Sequence, residues 1–478
     1  MKEKFENFKK NIDGKKVAVI GVGISNRPLI KFLYGLGADI TAFDALPSDD
    51  PVLSRTIENF EIEGVNINWS VGEGYLDSLL TESFDYIFKT PKMRVENEYL
   101  AKAKARGSVL TSEMEMFISL CPCKIFGITG SDGKTTTTTL VSEMLKKEGY
   151  TVYCGGNIGT PLLDRIEEIN EDDMVVLELS SFQLLHMADA CDVAIVTNVT
   201  PNHLDFHKDY DEYIESKTHI FKNQNCFSKL ILNSACEITY NMKDQARGKL
   251  GFFSLDRSTS VVPEGDALIS KAYLKDGILC YELNGKVTEI IDEKDILIPG
   301  KHNVENYLAA ISAVYEYVSV ETIVEIAKNF PGVEHRIEFI RELDGVKYYN
   351  SSIDTSPNRT INTMHALKDR NQHGVLIAGG ADKKCIYEGL GNAILEVCDR
   401  IVLCGSNAAL IKDILEKEAS GRNYQVYEFD NYEDAVNKAK EISVAGDIVI
   451  LSPVGTSYDK FRHFEERGNL FKNLVKAL

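Results

Sequence analysis

The chain has 478 residues, enough for about two to four ordinary domains, and its 44% hydrophobic and 26% charged composition suits a folded protein rather than a disordered or fibrous one. A formal net charge of −19 excludes non-specific nucleic-acid binding, which depends on Lys and Arg contacts to phosphates. It leaves room for small anions held by backbone N–H groups and a few cations. No apolar run approaches the roughly 18 residues of a membrane span. Met1–Lys16 is charged and lacks the apolar core of a secretory signal, so a cytoplasmic location without membrane insertion is expected. The ten cysteines form no C-x-x-C pair and read as reduced, mostly buried thiols.

Short Val/Ile-rich runs alternate with longer amphipathic stretches along almost the whole chain, the pattern of βαβ units and a largely parallel sheet. The first run, Val17–Ile20, leads into Gly21-Val22-Gly23-Ile24-Ser25-Asn26, a helical stretch, then Ile40–Phe43 and Asp44. This is a dinucleotide-type turn with Asn26 in place of the third glycine, weak evidence for NAD by itself. Lys124–Thr129 opens the strongest motif, Gly127-Ile128-Thr129-Gly130-Ser131-Asp132-Gly133-Lys134-Thr135-Thr136, followed by a helical pattern to about Lys147. A strand, a Gly-rich turn and a helix N-terminus present backbone N–H groups and a positive dipole end to phosphate. Lys134 would reach the outer phosphates and Thr135 would ligate Mg²⁺. Ile128 stands where the G-x-x-x-x-G-K-[ST] pattern would need Gly, so the match is to a shorter T-G-x-x-G-K-T form.

Further strand-like runs are Met174–Leu179, ending on Glu178 with Ser180-Ser181-Phe182-Gln183 after it, and Val193–Asn198, followed by Asn202-His203-Leu204-Asp205-Phe206-His207. A carboxylate at a strand C-terminus, such as Glu178, can face a phosphate loop and hold Mg²⁺. Asn225–Leu297 is more irregular, with short strand-like pieces and the turn signal Asn284-Gly285. Asn303 and Asn306 precede the helical stretch Tyr307–Val318 and share one face of a first turn. After the turn pair Pro331-Gly332 the strand–helix alternation resumes, with Val375–Ala378, Ile401–Cys404 and Asp447–Leu451.

The loop Gly130–Thr136 resembles the nucleotide loop of the Mur ligases and folylpolyglutamate synthetases. Five more blocks resemble Mur ligases in the same order: Gly155-Gly156-Asn157-Ile158-Gly159, Glu178–Leu184, Asn202–His207, Tyr213–Thr218 and Gly300–Asn306. The resemblance implies three α/β domains: a Rossmann-like domain at 1–110 for a UDP-linked substrate, a central P-loop domain with a mostly parallel sheet at 111–332, and a C-terminal Rossmann-like domain at 333–478 for an amino acid. It further implies an ATP-dependent, amide-bond-forming ligase of peptidoglycan precursor synthesis. ATP would bind Gly130, Ser131, Asp132, Gly133, Lys134, Thr135, Thr136, Asn303, Asn306 and Arg336. Two Mg²⁺ ions would lie on Thr135, Glu178, His203 and Lys217, the last carbamylated, with Lys134, His203 and Lys217 as the catalytic set. His207 reads as a packing or surface histidine. Gly23, Ile24, Ser25, Asp44 and Asn157 would take the UDP-linked substrate.

The closing block Ser457–Gly468 resembles the branch of the family that adds D-glutamate to UDP-N-acetylmuramoyl-L-alanine, with Lys383, Ser457 and Phe464 on the incoming amino acid. A monomer is expected, and closure of the third domain would shield the reaction from water. Two departures stand out. Asn350-Ser351-Ser352-Ile353-Asp354 occupies the place of D-S-K-A-T-N, so an Asp and a Lys are missing, and Val454-Gly455-Thr456 replaces small alanines. Arg359 is the candidate to supply the lost charge.

Overall fold

In a computed structural model of the chain, residues 2–203, 206–256, 269–368, 371–382, 385 and 387–478 are described. They divide into two compact units, Met1–Ile290 with Leu308–Ile323, and Ile291–Tyr307 with Val324–Leu478.

The first unit carries two sheets. One has five parallel strands, Lys16–Ile20 (β1), Asp39–Asp44 (β2), Asn68–Val71 (β3), Tyr86–Phe88 (β4) and Val109–Thr111 (β5), in the order β3-β2-β1-β4-β5. The order reverses between β1 and β4, which opens a crevice beyond their C-terminal ends. Val17, Ala18, Val19 and Ile20 are all buried because helices cover both faces of the sheet.

The second sheet contains Lys124–Thr129 (β6), Val152–Gly156 (β7), Met174–Glu178 (β8), Val193–Val196 (β9), Lys229–Asn233 (β10), Lys249–Ser254 (β11), Ile269–Lys275 (β12), Ile278–Leu283 (β13) and Lys286–Asp292 (β14). Their order is β14-β13-β12-β11-β10-β9-β6-β8-β7, so β6 lies between β9 and β8. β6 through β12 pair in parallel, and β12 with β13 antiparallel. The irregular zone of the sequence therefore extends this sheet. Asn284 at φ 54 and Gly285 at φ 74 form the two-residue turn of the β13–β14 hairpin, where both positions need positive φ.

The second unit holds Glu338–Leu343 (β15), Val346–Asn350 (β16), Gly374–Ala378 (β17), Cys398–Leu403 (β18), Gln425–Glu428 (β19) and Ile448–Leu451 (β20), in the order β15-β16-β20-β17-β18-β19. Only the β15–β16 pair is antiparallel among these. The reversal falls between β20 and β17. The helix expected from Tyr307 begins earlier, at Lys301, directly after Gly300 at φ 98, which places Asn303 inside the first turn rather than at its cap. All ten cysteines are free, and no described helix is long and apolar enough to cross a membrane.

Candidate active site

Each of the three sheets carries a glycine-bearing turn at its point of reversal, but the side chains around those turns differ.

After β1, Asp44 at the end of β2 braces the turn. Its carboxylate accepts Val22 N–H at 2.8 Å and Leu46 N–H at 3.0 Å. Asn26 donates its amide to the carbonyls of Ile20 (3.1 Å) and Gly21 (2.8 Å), doing with a side chain what a third glycine would do by close approach. Ser25 sits at the N-cap of helix Asn26–Gly35 with no side-chain cap bond. Ile24 is 82% exposed, a branched apolar residue held out over the crevice.

After β6, the loop is held from the neighbouring strand. Ser131 N–H donates to Asn198 O at 2.9 Å, Asp132 N–H to Asn198 Oδ1 at 2.9 Å, and Thr197 Oγ1 to Asp132 O at 2.6 Å. Gly130 at φ 148 tolerates no side chain, since a Cβ would lie 1.9 Å from Thr197 Oγ1. Gly133 at φ 80 then admits the helix Lys134–Glu148. Lys134 Nζ donates to Gly130 O at 3.0 Å and to Ser131 O at 2.9 Å. Lys217, on helix Tyr210–Lys222, donates to the same Gly130 carbonyl at 2.9 Å, so two lysine nitrogens converge on one acceptor.

Lys217 is 1% exposed, and its ammonium also stands 4.4 Å from the Tyr213 ring centroid. Burial first, then the nearby Lys134 cation, push its pKa down to about 7 against the pull of Asp132. Its neutral form is therefore far more populated near pH 7 than in an ordinary lysine, which is neutral there about once in 10³. Tyr213 and Asn198 are functional neighbours that motif reading missed. Tyr213 lies four residues before Lys217 on the same helix face, a spacing that signals their contact, and its hydroxyl also meets Ser131 Oγ at 2.9 Å.

Glu178 ends β8, in register with Ile128 of β6 and Gly156 of β7. Its side chain is buried. Oε1 accepts Asn157 Nδ2 at 2.9 Å, while Oε2 has no hydrogen-bond partner. A buried, unpartnered carboxylate oxygen beside a phosphate loop fits a divalent cation. No group of three His, Cys, Asp or Glu able to hold a metal is present among the described residues. The Thr135 hydroxyl and the Glu178 carboxylate are oxygen donors of the kind that Mg²⁺ takes. His203, at φ 54, packs its ring 4.9 Å from Phe182, which follows Glu178 on the next turn. His207 is buried between Ser181 Oγ, at 3.0 Å, and Glu212, at 3.5 Å, in a packing role.

In the second unit, Asn303 donates to Pro299 O and accepts Asn306 Nδ2 at 3.2 Å. Arg336 stands between two residues in left-handed backbone, His335 at φ 64 and Ile337 at φ 46, a conformation that a β-branched residue adopts only under constraint. The constraint is visible. His335 N–H donates to Glu338 Oε2 at 2.9 Å, and Asn350 Nδ2 bridges His335 Nδ1 (2.9 Å) and Glu338 Oε2 (3.0 Å). An Asp at 350 would set a second carboxylate against Glu338, which gives the Asn departure a physical reason. Arg359 donates to the Ile353 carbonyl at 2.8 Å.

Ser457 is buried just beyond the bridge between Ala381 and Thr456. Phe464 opens the last helix, with its ring centroid 5.9 Å from that of His335. Arg467, fully buried, ties Ser352 (Oγ 3.0 Å, O 2.9 Å) to Gly455 O (3.2 Å). Gly468 leaves room for His335, whose Nδ1 would lie 2.2 Å from an added Cβ. Lys383 lies outside the described residues. A cavity of about 330 Å³ opens by β18 and β19, but Glu428, Asp430 and Asp434 line it, which disfavours an anionic amino acid there.

The family models for the Mur ligase middle domain and for the Mur ligase glutamate ligase domain match residues 128–314 and 335–455. The chain is 48% identical to the UDP-N-acetylmuramoylalanine--D-glutamate ligase of Acetivibrio thermocellus and 48% identical to that of Clostridium perfringens, with 100% of both chains covered in each case. Its fold is similar to that of the UDP-N-acetylmuramate–alanine ligase of Thermotoga maritima, at 17% identity and TM-score 0.55, over 97% of this chain and 99% of that one.

Proposed function

The chain belongs to the Mur ligase family of ATP-dependent, amide-bond-forming ligases, and we propose that it adds D-glutamate to UDP-N-acetylmuramoyl-L-alanine in peptidoglycan precursor synthesis. The observation that carries the substrate is the full-length identity to relatives named for that reaction, reinforced by the Ser457–Gly468 block. In this reading residues 1–110 take the UDP-linked substrate through Gly23, Ile24, Ser25 and Asp44, residues 111–332 take ATP, and residues 333–478 take the amino acid. The enzyme works as a monomer in the cytoplasm.

The loop N–H groups from Gly130 to Thr136, with Lys134, hold the ATP phosphates. Asn303, Asn306 and Arg336 are further nucleotide-binding residues in this reading, the arginine as a bidentate clamp. The carboxylate of the substrate's alanine attacks the γ-phosphorus. The bond to the β–γ bridging oxygen breaks, and ADP leaves with that electron pair. Lys134 and Arg336 offset charge that builds on the transferring group. Lys383, Ser457 and Phe464 orient D-glutamate. Its amine then attacks the acyl carbon, phosphate departs, and the amine gives up a proton as the amide forms.

Thr135, Glu178, His203 and Lys217 are the residues to hold Mg²⁺, which would supply charge neutralisation at the phosphates and at the reacting carboxylate. Lys217 would serve this as a carbamate: its buried amine, held toward the neutral form, would add CO₂ and release a proton, so that an anion replaces a cation beside Lys134.

The test is phosphate release from ATP with Mg²⁺ and UDP-N-acetylmuramoyl-L-alanine, supplied in turn with D-glutamate, L-glutamate, L-lysine, diaminopimelate and L-alanine. Release confined to D-glutamate is expected. Release with another amino acid would overturn the substrate but keep the chemistry. ATP binding with no release would point to a regulatory module.

A further inference from the structure

The resemblance assigns Asn157 to the UDP-linked substrate, and the structure shows it bonded to Glu178 as well. β7 and β8 pair so that Gly156 stands opposite Glu178, and a Cβ on Gly156 would lie 2.2 Å from the Glu178 carbonyl oxygen. That close approach lets Asn157 grip the glutamate twice. Its backbone N–H donates to Glu178 O at 2.7 Å, and its side-chain Nδ2 donates to Oε1 at 2.9 Å. A carboxylate only accepts, so the amide must turn its nitrogen to Glu178. The other oxygen, Oε2, is buried and unpartnered.

We infer that Asn157 is a positioning residue for Glu178, holding one carboxylate oxygen so that the other is presented to the divalent cation that accompanies the nucleotide. The residue type suits the task. A Lys or Arg at 157 would neutralise the negative charge that attracts a cation, and an Asp would repel the carboxylate. A neutral amide fixes direction and leaves the charge intact. The inference rests on the nucleotide and metal site proposed above, and it adds metal presentation to the substrate contact expected of Asn157.

The probe is Mn²⁺ in the presence of ADP, with free ion read by electron paramagnetic resonance on wild type, Asn157→Ala, Glu178→Gln and the double variant. UDP affinity is measured on the same proteins by calorimetry. Losing one charge-assisted hydrogen bond should weaken Mn²⁺ binding about tenfold in Asn157→Ala. UDP affinity reports separately on any substrate contact made by the same amide. The double variant should bind no worse than Glu178→Gln alone, because the amide acts only through that carboxylate. Asn157→Leu, similar in size and lacking the donor, repeats the measurement should the alanine variant not fold. Unchanged Mn²⁺ binding, or losses that add in the double variant, would overturn the inference. If ADP brings no Mn²⁺ to the wild type, the nucleotide site itself is misread, a separate result that removes the inference with it.

Discussion

The turns after β1 and β6 begin as the same backbone device, a buried parallel strand running through a glycine into a helix at a point of strand reversal. They part in the side chains brought to them. Around Gly21 the partners are an amide and a carboxylate, both hydrogen-bonded to backbone groups of the turn, with an exposed isoleucine in the same turn. Around Gly130 two lysines share one carbonyl and a buried glutamate keeps an unpartnered oxygen nearby. The first arrangement suits holding a ligand without changing it. The second concentrates charge that can respond to a reaction. In the function proposed above, a single fold element serves binding in one place and chemistry in the other, according to a few residues on neighbouring strands and helices.

The largest effect should follow from Lys134→Met, which removes the cation that meets the transferring phosphoryl group. kcat for phosphate release is expected to fall about 10³-fold with the protein still folded; a loss under tenfold would break the contrast between the two turns. Lys217→Ala should lower kcat about 10²-fold. The wild type should also lose activity on removal of bicarbonate and regain it on addition. With a pKa near 7, the ammonium dominates below that pH and cannot take up CO₂, so the bicarbonate requirement should steepen from pH 8 to pH 6. A requirement that stays flat with pH would remove the carbamate from the proposal.

Smaller effects test the frames themselves. Gly130→Ala meets Thr197 Oγ1 at 1.9 Å, whereas Gly21→Ala, at φ 81, meets Thr90 Cβ at a looser 3.3 Å. Thermal melting should show Gly130→Ala destabilised by about 3 kcal/mol and Gly21→Ala by about 1–2 kcal/mol. Asn26→Ala should raise KM for the UDP-linked substrate several-fold, through loss of buried hydrogen bonds worth about 1–3 kcal/mol, and leave kcat unchanged. A kcat effect there would mean the first turn takes part in the chemistry. Smallest of all, Arg359→Ala should leave both ATP and substrate affinity within about twofold if its role is confined to the Ile353 carbonyl, and lower them if it replaces the missing lysine.

Local features were legible in the sequence because they are short in sequence. The strand–turn–helix at Lys124–Lys147, the buried parallel runs and the Asn284-Gly285 turn each depend on neighbours a few residues apart. Pairing across the sheet was not legible. Asn157 and Glu178 are 21 residues apart and meet only because β7 lies in register beside β8. The His335, Glu338 and Asn350 cluster, which explains the departure at Asn350, needs β15 antiparallel to β16. The start of the helix at Lys301 was missed because Lys301, His302 and Asn303 carry none of the apolar periodicity by which helices are read.

The left-handed backbone on both sides of Arg336 has a consequence for the chain's heat tolerance. His335 and Ile337 each hold a conformation that costs about 1–3 kcal/mol for a side chain of their kind. Asn or Gly at 337 would relieve that strain, so selection for thermal endurance alone would drive the isoleucine out. The resulting chain should melt at a higher temperature and turn over more slowly, with its arginine less firmly aimed. In the proposed function, the strain at Ile337 is what aims the Arg336 guanidinium, and it lowers the melting point of the chain.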